Sequence, residues 1–322
     1  MSAVTRVVGG FSLDAVRFAD GAYEVDRPGG NGFWAALGVV LAGGSAAVHG
    51  VVGDDYPDEA LQRLRDCGAD IGGIRRLSGS PSLRVSFSYR PDETRAHPAD
   101  PAAIADLPPE DRARFLDTTD REDLLLATLP TPADLAAAHA DSWYLGLLPA
   151  RRLREIVAVA RGDGCVVLDC PDRTEIARDG SAALRDVLPD VDVFLPSTSD
   201  AAVFLPDVPE RDLPSLFHGW GARAVVLKCG SRGAVISTGR GRWHVPVFPD
   251  PDAFDATGAG DVFGGACAAT LAGTGDLVAA VVAGAAAASF ATAARTPLEL
   301  SRIAHDDVER RRRFIAARVE EM

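Results

Sequence analysis

Short apolar runs separated by amphipathic stretches set the pattern of this chain. Val4 to Gly10 is an apolar strand ending in a glycine pair. Phe11 to Arg27 then alternates apolar with polar residues and turns at Asp20-Gly21, which predicts a β-hairpin. Gly32 to Ala42 has helical spacing and small residues, Ala46 to Val52 reads as a strand, and Tyr56 to Cys67 as an amphipathic helix. Leu83 to Tyr89 alternates as a further strand, with a turn at Pro91-Asp92. Between Pro98 and Pro132 the chain is proline-rich and acidic, and only Pro108 to Leu116 reads as a short helix. Regular alternation then resumes. Strands over Ser142 to Leu147, Cys165 to Asp169, Val191 to Leu195 and Ala224 to Lys228 are interleaved with helices over Arg151 to Arg161, Ala182 to Leu188 and Leu213 to Trp220. This order predicts an α/β fold with a doubly wound, mostly parallel sheet. The alternating segments at about 11–27 and 83–97 fall outside that sheet. They are expected to pair with each other as a small antiparallel lid on a single domain spanning 1–322.

Composition narrows the function. A hydrophobic fraction of 47% supports a sizeable core, and a net charge of −13 argues against nucleic-acid or anionic-membrane partners. The five cysteines are scattered and the six histidines lack metal-ligand spacing. Charged residues lead straight into the first apolar run, and the alanine-dominated window from Leu277 to Ala294 reads as a buried core helix rather than a membrane span. A soluble cytoplasmic protein is expected. The basic run Arg310 to Arg313 is interspersed with Glu309, Glu320 and Glu321 and reads as a solvated face. Lys228 is the only lysine and follows Leu227, so there is no Gly-Lys-Ser/Thr phosphate loop. Val225 to Lys228 superficially suggests the lysine strand of protein kinases, but His-Arg-Asp and Asp-Phe-Gly are absent.

Candidate chemistry concentrates in Asp255-Ala256-Thr257-Gly258-Ala259-Gly260-Asp261, which precedes a long small-residue helix. Two glycines let the backbone approach a ligand closely, and the first N–H groups of a helix face an anion. Asp261 lies just past that nest, where a carboxylate can take a proton from a hydroxyl while the nest holds the transferred group. That pairing points to phosphoryl transfer. An Asp near a helix start also serves as a plain cap, and that reading stands beside the catalytic one. Asp14, Asp169, Ser197 and Gly230 fall just past expected strand ends, where ligands bind in such sheets.

Four segments in order resemble the ribokinase-like (PfkB) carbohydrate kinases: Val7 to Asp14, Pro28 to Gly32 with its following helix, Val51 to Asp55, and Asp255 to Asp261. The resemblance implies an ATP-dependent kinase acting on a hydroxymethyl group of a small sugar or sugar derivative. It makes Asp261 the base, with Gly258, Ala259 and Gly260 as the anion hole. Asp14, Gly30 and Asn31 would touch the acceptor, and Lys228 and Gly230 would lie along the nucleotide. ATP and Mg2+ are the implied cofactors, with K+ at a monovalent-cation site formed by Asp255 and Thr257. Dimers through the lid are common in that family.

Several positions depart from the family pattern. Pro196-Ser197-Thr198-Ser199-Asp200 stands where many members carry Asn-x-x-Glu near Mg2+. Asp200 keeps the charge on a shorter stem, but the stretch also reads as a helix cap. Asn31 and Trp34 stand where Lys and Asn are frequent. Trp34 is either a core or dimer residue or the floor of an acceptor pocket, and with Phe33 it leaves room for a nucleoside. Arg90 or Arg95 could meet an anionic acceptor or simply be solvated. Asp172 or Arg173 could face the acceptor, or Pro171-Asp172 could be only a turn. Two alternatives therefore remain: a nucleoside kinase of the same fold, and a non-catalytic nucleotide- or sugar-binding member.

Overall fold

The structure is a computed structural model and describes residues 3–90, 95–135 and 139–322. Its strands are β1 (Val4–Val8), β2 (Ser12–Arg17), β3 (Tyr23–Gly29), β4 (Ser45–Gly53), β5 (Asp70–Leu77), β6 (Leu83–Tyr89), β7 (Arg95–Ala96), β8 (Ser142–Leu145), β9 (Cys165–Asp169), β10 (Val193–Leu195), β11 (Ala224–Lys228), β12 (Ala234–Thr238), β13 (Gly241–Val245) and β14 (Glu320–Glu321).

Val7, Val8, Tyr144, Leu145, Val166–Leu168, Phe194 and Val225–Leu227 are buried almost completely. Such continuous apolar runs belong to parallel strands covered on both faces. The described residues form a ten-stranded sheet in the order β14-β13-β12-β11-β10-β9-β8-β1-β4-β5. It is parallel from β5 through β11 and antiparallel beyond. Strand order runs outward in both directions from β1, which opens a crevice at the carboxyl ends beside it.

Helices Asn31–Leu41, Ala259–Thr274 and Leu277–Ala291 cover one face. Helices Ala150–Ala160, Ala182–Val187 and Leu213–Gly219 cover the other. The small residues of Ala259–Thr274 have a packing reason. A Cβ on Gly265 would lie 2.0 Å from the Ala35 carbonyl oxygen, and one on Gly264 would lie 2.1 Å from the Tyr144 ring. The helix therefore beds directly against its neighbours. The Leu277 window is an interior helix, and among the described residues no helix is long and apolar enough to cross a membrane.

The lid is a second sheet, ordered β3-β2-β6-β7. Its two hairpins are antiparallel, but β2 and β6 join them in parallel. The expected antiparallel pairing between these two segments is corrected on that point. Both strands follow the carboxyl ends of parallel strands, β1 and β5, so they run the same way. The turn expected at Pro91-Asp92 lies outside the described residues. Asp14 sits inside β2 rather than past a strand end. In the acidic stretch the expected helix shrinks to Pro109–Arg112, flanked by other short turns.

Candidate active site

The glycine turn is tied down before it reaches its helix. The Phe254 and Asp255 N–H groups both donate to the Thr292 carbonyl, at 2.9 and 3.1 Å, and the Thr257 N–H donates to Asp255 Oδ1 at 2.7 Å. Gly258 then turns left-handed at φ 74° and caps Ala259–Thr274. A side chain there would be strained, and its Cβ would lie 2.2 Å from the Trp34 indole. Trp34 is 2% exposed and packs flat beneath the turn. Of its two expected roles the core one holds and the acceptor contact is corrected: Trp34 is buried in the core, and Phe33 is also wholly buried.

Asp261 lies in the first turn of this helix, half-buried at the carboxyl ends of the central strands. Tyr144, on β8, donates to Asp169 Oδ2 at 2.9 Å and to Asp261 Oδ1 at 3.3 Å. Asp169 ends β9 and holds the Lys228 ammonium at 2.6 and 2.9 Å. Lys228 ends β11, and its Nζ lies 3.3 Å from where a Cβ on Gly260 would be. One cluster thus joins Asp261, Tyr144, Asp169, Lys228 and the glycine turn. Burial pushes the Asp261 carboxyl up to about 7; the Asp169 charge adds to the rise, while Lys228 and the Tyr144 hydrogen bond oppose it. Burial also raises Asp169, against the pull of Lys228. For Lys228 the carboxylates outweigh burial and its affinity for a proton increases. A carboxylate with an elevated pKa is a stronger base once ionised, and one near neutrality suits general base catalysis.

A second cluster lies where the lid meets the turn. Arg27 on β3 is 3% exposed and sits opposite Asp14 in the β2–β3 ladder. Its Nη2 is 3.8 Å from Asp14 Oδ2 and its Nη1 3.9 Å from Asp255 Oδ2. Nη1 also donates to the Arg295 carbonyl. Tyr89 stacks on Phe18, and its hydroxyl donates to Asp255 and bonds Thr257. Burial first, and the Asp255 charge after it, push the Tyr89 hydroxyl up to about 12, so it stays a donor. Arg95 lies over the Phe87 ring at 4.4 Å and reaches the Thr257 hydroxyl at 3.4 Å. Asp14 accepts from the Ser12 hydroxyl at 2.6 Å, and burial raises its pKa against the Arg27 charge.

This arrangement bears on the implied monovalent cation. Asp255 Oδ1 is taken by Tyr89 and the Thr257 N–H, while Oδ2 has no hydrogen-bond partner and faces Arg27. A second unit charge about 4 Å from the guanidinium would be repelled by roughly 4 kcal/mol at an effective dielectric near 20. Asp14 and Asp255 both attract such a charge, so space decides: the Arg295 carbonyl and Asp255 Oδ2 already face the guanidinium, and Asp255 and Thr257 fit an added cation poorly while Arg27 lies there.

The remaining expected residues separate by role. Gly30 caps helix Asn31–Leu41, and a Cβ on it would lie 2.4 Å from the Gly10 carbonyl oxygen. Asn31 accepts from the Gly10 N–H at 2.6 Å and donates to the Leu147 carbonyl at 3.2 Å, bracing the loops after β1 and β8. Gly230 begins an exposed turn after β11. Ser197 and Asp200 form a reciprocal capping box, so the cap reading holds there. Asp200 also accepts from Arg173 at 3.0 Å, and Asp172 caps helix Arg173–Asp179. Asp172 thus has the turn-and-cap role, and Arg173 pairs with Asp200. Sequence reasoning missed Tyr144, whose only signal was an aromatic hydroxyl near a strand end, and it missed Arg27.

Comparison with known proteins places these features in a lineage. The model of the pfkB family of carbohydrate kinases matches residues 7–299. A cytidine kinase from Thermococcus kodakarensis is 24% identical over 261 residues, covering 80% of this chain and 85% of that protein. Among solved structures, the Escherichia coli protein described as ribokinase II, with ATP and Mg2+, superposes with a TM-score of 0.70 at 20% identity, covering 98% of this chain and 100% of that one. A Burkholderia thailandensis nucleoside kinase in complex with inosine gives 0.70 at 16% identity, covering 96% of each chain. This chain belongs to the pfkB family of carbohydrate kinases, which are ATP-dependent phosphotransferases.

Proposed function

We propose that this protein transfers the γ-phosphoryl group of MgATP to a primary hydroxyl of a small sugar or sugar derivative, with Asp261 as the base. One observation carries the reading: a carboxylate whose burial raises its pKa to about 7 sits in the first turn of a helix entered through a left-handed glycine. The acceptor hydroxyl gives its proton to Asp261, its oxygen bonds to the γ-phosphorus, and the bond to the bridging oxygen breaks as ADP leaves. Gly258 and Gly260 would present N–H groups and the helix dipole to the phosphoryl oxygens, while the Ala259 N–H donates to the Ala256 carbonyl at 3.2 Å and would have to turn from it to join them. Lys228, held by Asp169, adds a fixed positive charge beside Gly260. Asp200 and Asp169, the carboxylates whose charges act on Lys228, would hold the waters of Mg2+ bound with the nucleotide, and the ion would offset charge on the phosphates. Asp14 is the acceptor-side carboxylate. The lid covers this region and excludes water that would otherwise take the phosphoryl group. The same reading places the enzyme in the cytoplasm, as a dimer joined through the lid.

A nucleoside acceptor is the second reading. The cytidine kinase relative, aligned over 80% of this chain, favours it, whereas buried Phe33 and Trp34 lend it no stacking surface. ADP release from MgATP across sugars, sugar acids and nucleosides tests both readings. Turnover with sugars supports the first and turnover with nucleosides the second. Nucleotide binding without turnover on any acceptor would count against catalysis.

A further inference from the structure

We infer that Arg27 is a built-in cation for the glycine turn, so that phosphotransfer by this protein requires no added monovalent cation. The placement of the guanidinium is a product of local geometry. Register between β2 and β3 shifts between Asp14 and Val16, and Asp26 in the facing strand takes a left-handed φ of 51°. Bulges of this kind re-aim a neighbouring side chain. Asp26 is itself clamped by Arg84 and Arg114, which fixes the bulge. Arg27 is thereby directed inward, where it is 3% exposed.

There it faces the Asp255 oxygen that a bound cation would use. Its Nη1 reaches both the Arg295 carbonyl and the Asp255 carboxylate, one charged and one neutral oxygen donor from distant parts of the chain. Its Nε and Nη2 lack hydrogen-bond partners, so charge rather than saturated hydrogen bonding holds it there. The Asp255 carboxylate in turn accepts the Thr257 N–H that shapes the start of the anion hole. Arg27 is a positioning residue: it offsets the charge of Asp255, which it shares with Asp14, and couples the lid strand to the turn. Because it comes from the lid, charge neutralisation and lid placement are one event here.

The kinetic part of the test rests on the proposed phosphotransferase activity; the thermal part does not. Wild type, Arg27→Gln and Arg27→Lys are compared in KCl and in tetramethylammonium chloride at equal ionic strength. The ratio of ADP-release rates in the two salts should be near one for wild type and for Arg27→Lys. For Arg27→Gln the rate in tetramethylammonium should fall by about tenfold to hundredfold and recover in KCl. Melting should show a K+-specific rise of about 2 °C for Arg27→Gln and none for wild type. A wild-type rate or melting temperature that depends specifically on K+ overturns the inference, as does an Arg27→Gln variant indifferent to K+. Should no acceptor support turnover, the proposed activity fails while the melting comparison still decides. Should Arg27→Gln not fold, wild type and Arg27→Lys decide by the same K+ dependence.

Discussion

Replacing Asp261 by Asn should make this protein more stable at alkaline pH while removing its base. In the folded chain the carboxyl holds its proton to about pH 7, against 3.8 for an ordinary aspartate. Between those values folding takes up a proton, so stability falls as pH rises and stays lowered above 7. The shift of about three units has a ceiling of roughly 4 kcal/mol. Because the residue is half-buried, solvent screening leaves on the order of 1–2 kcal/mol. Asn retains an acceptor for the Tyr144 hydroxyl and leaves the Lys228–Asp169 pair in place, so little else changes. For a chain of 322 residues that free energy corresponds to about 1.5–3 °C in melting temperature. Thermal melts of both proteins from pH 5 to pH 8 measure it. The variant should lead at pH 8, and the lead should shrink toward pH 5. A lead that does not vary with pH, or a variant that melts first at pH 8, would refute the assignment of a raised pKa to Asp261.

The same electrostatics predicts the acid limb of kcat/KM. For wild type it should fall near pH 7, since Asp261 must be ionised to accept a proton. Asp169→Asn removes a charge that raises this pKa and leaves Lys228 to lower it, so the limb should move down by about one unit. An unmoved limb would dissociate the two carboxylates. Gly258→Ala forces a side chain into left-handed backbone against the Trp34 ring, and should cost at least about 1 kcal/mol in urea unfolding, together with much of the turnover. A variant with wild-type stability would show that the turn tolerates a Cβ.

The parts of this site written in one contiguous segment were legible in the sequence. Asp255 to Asp261 announces itself because a glycine turn and a helix start are local features. The wound sheet was legible for the same reason, since β8 through β11 are apolar runs bounded by turn signals. What local pattern could not show is convergence. Tyr144, Asp169, Lys228 and Asp261 lie on four separate elements and meet only because the carboxyl ends of β8, β9 and β11 face one helix. Arg27 was invisible for a different reason. Its inward direction depends on one extra residue in β3, and simple alternation does not register a bulge. β5 escaped notice because Gly72 and Gly73 interrupt its apolar pattern at a sheet edge. Trp34 shows an ambiguity that local pattern cannot resolve: an aromatic beside a glycine motif fits a core residue or a ligand platform, and here it is a core residue supporting the backbone that the glycine exposes.

The most direct test of the account is acceptor-dependent ADP release from MgATP by wild type and Asp261→Asn, with circular dichroism confirming that both are folded. Turnover should fall by roughly 10²–10⁴-fold in the variant. Turnover by the variant within a few-fold of wild type would contradict it, because the proton would then be leaving by another route.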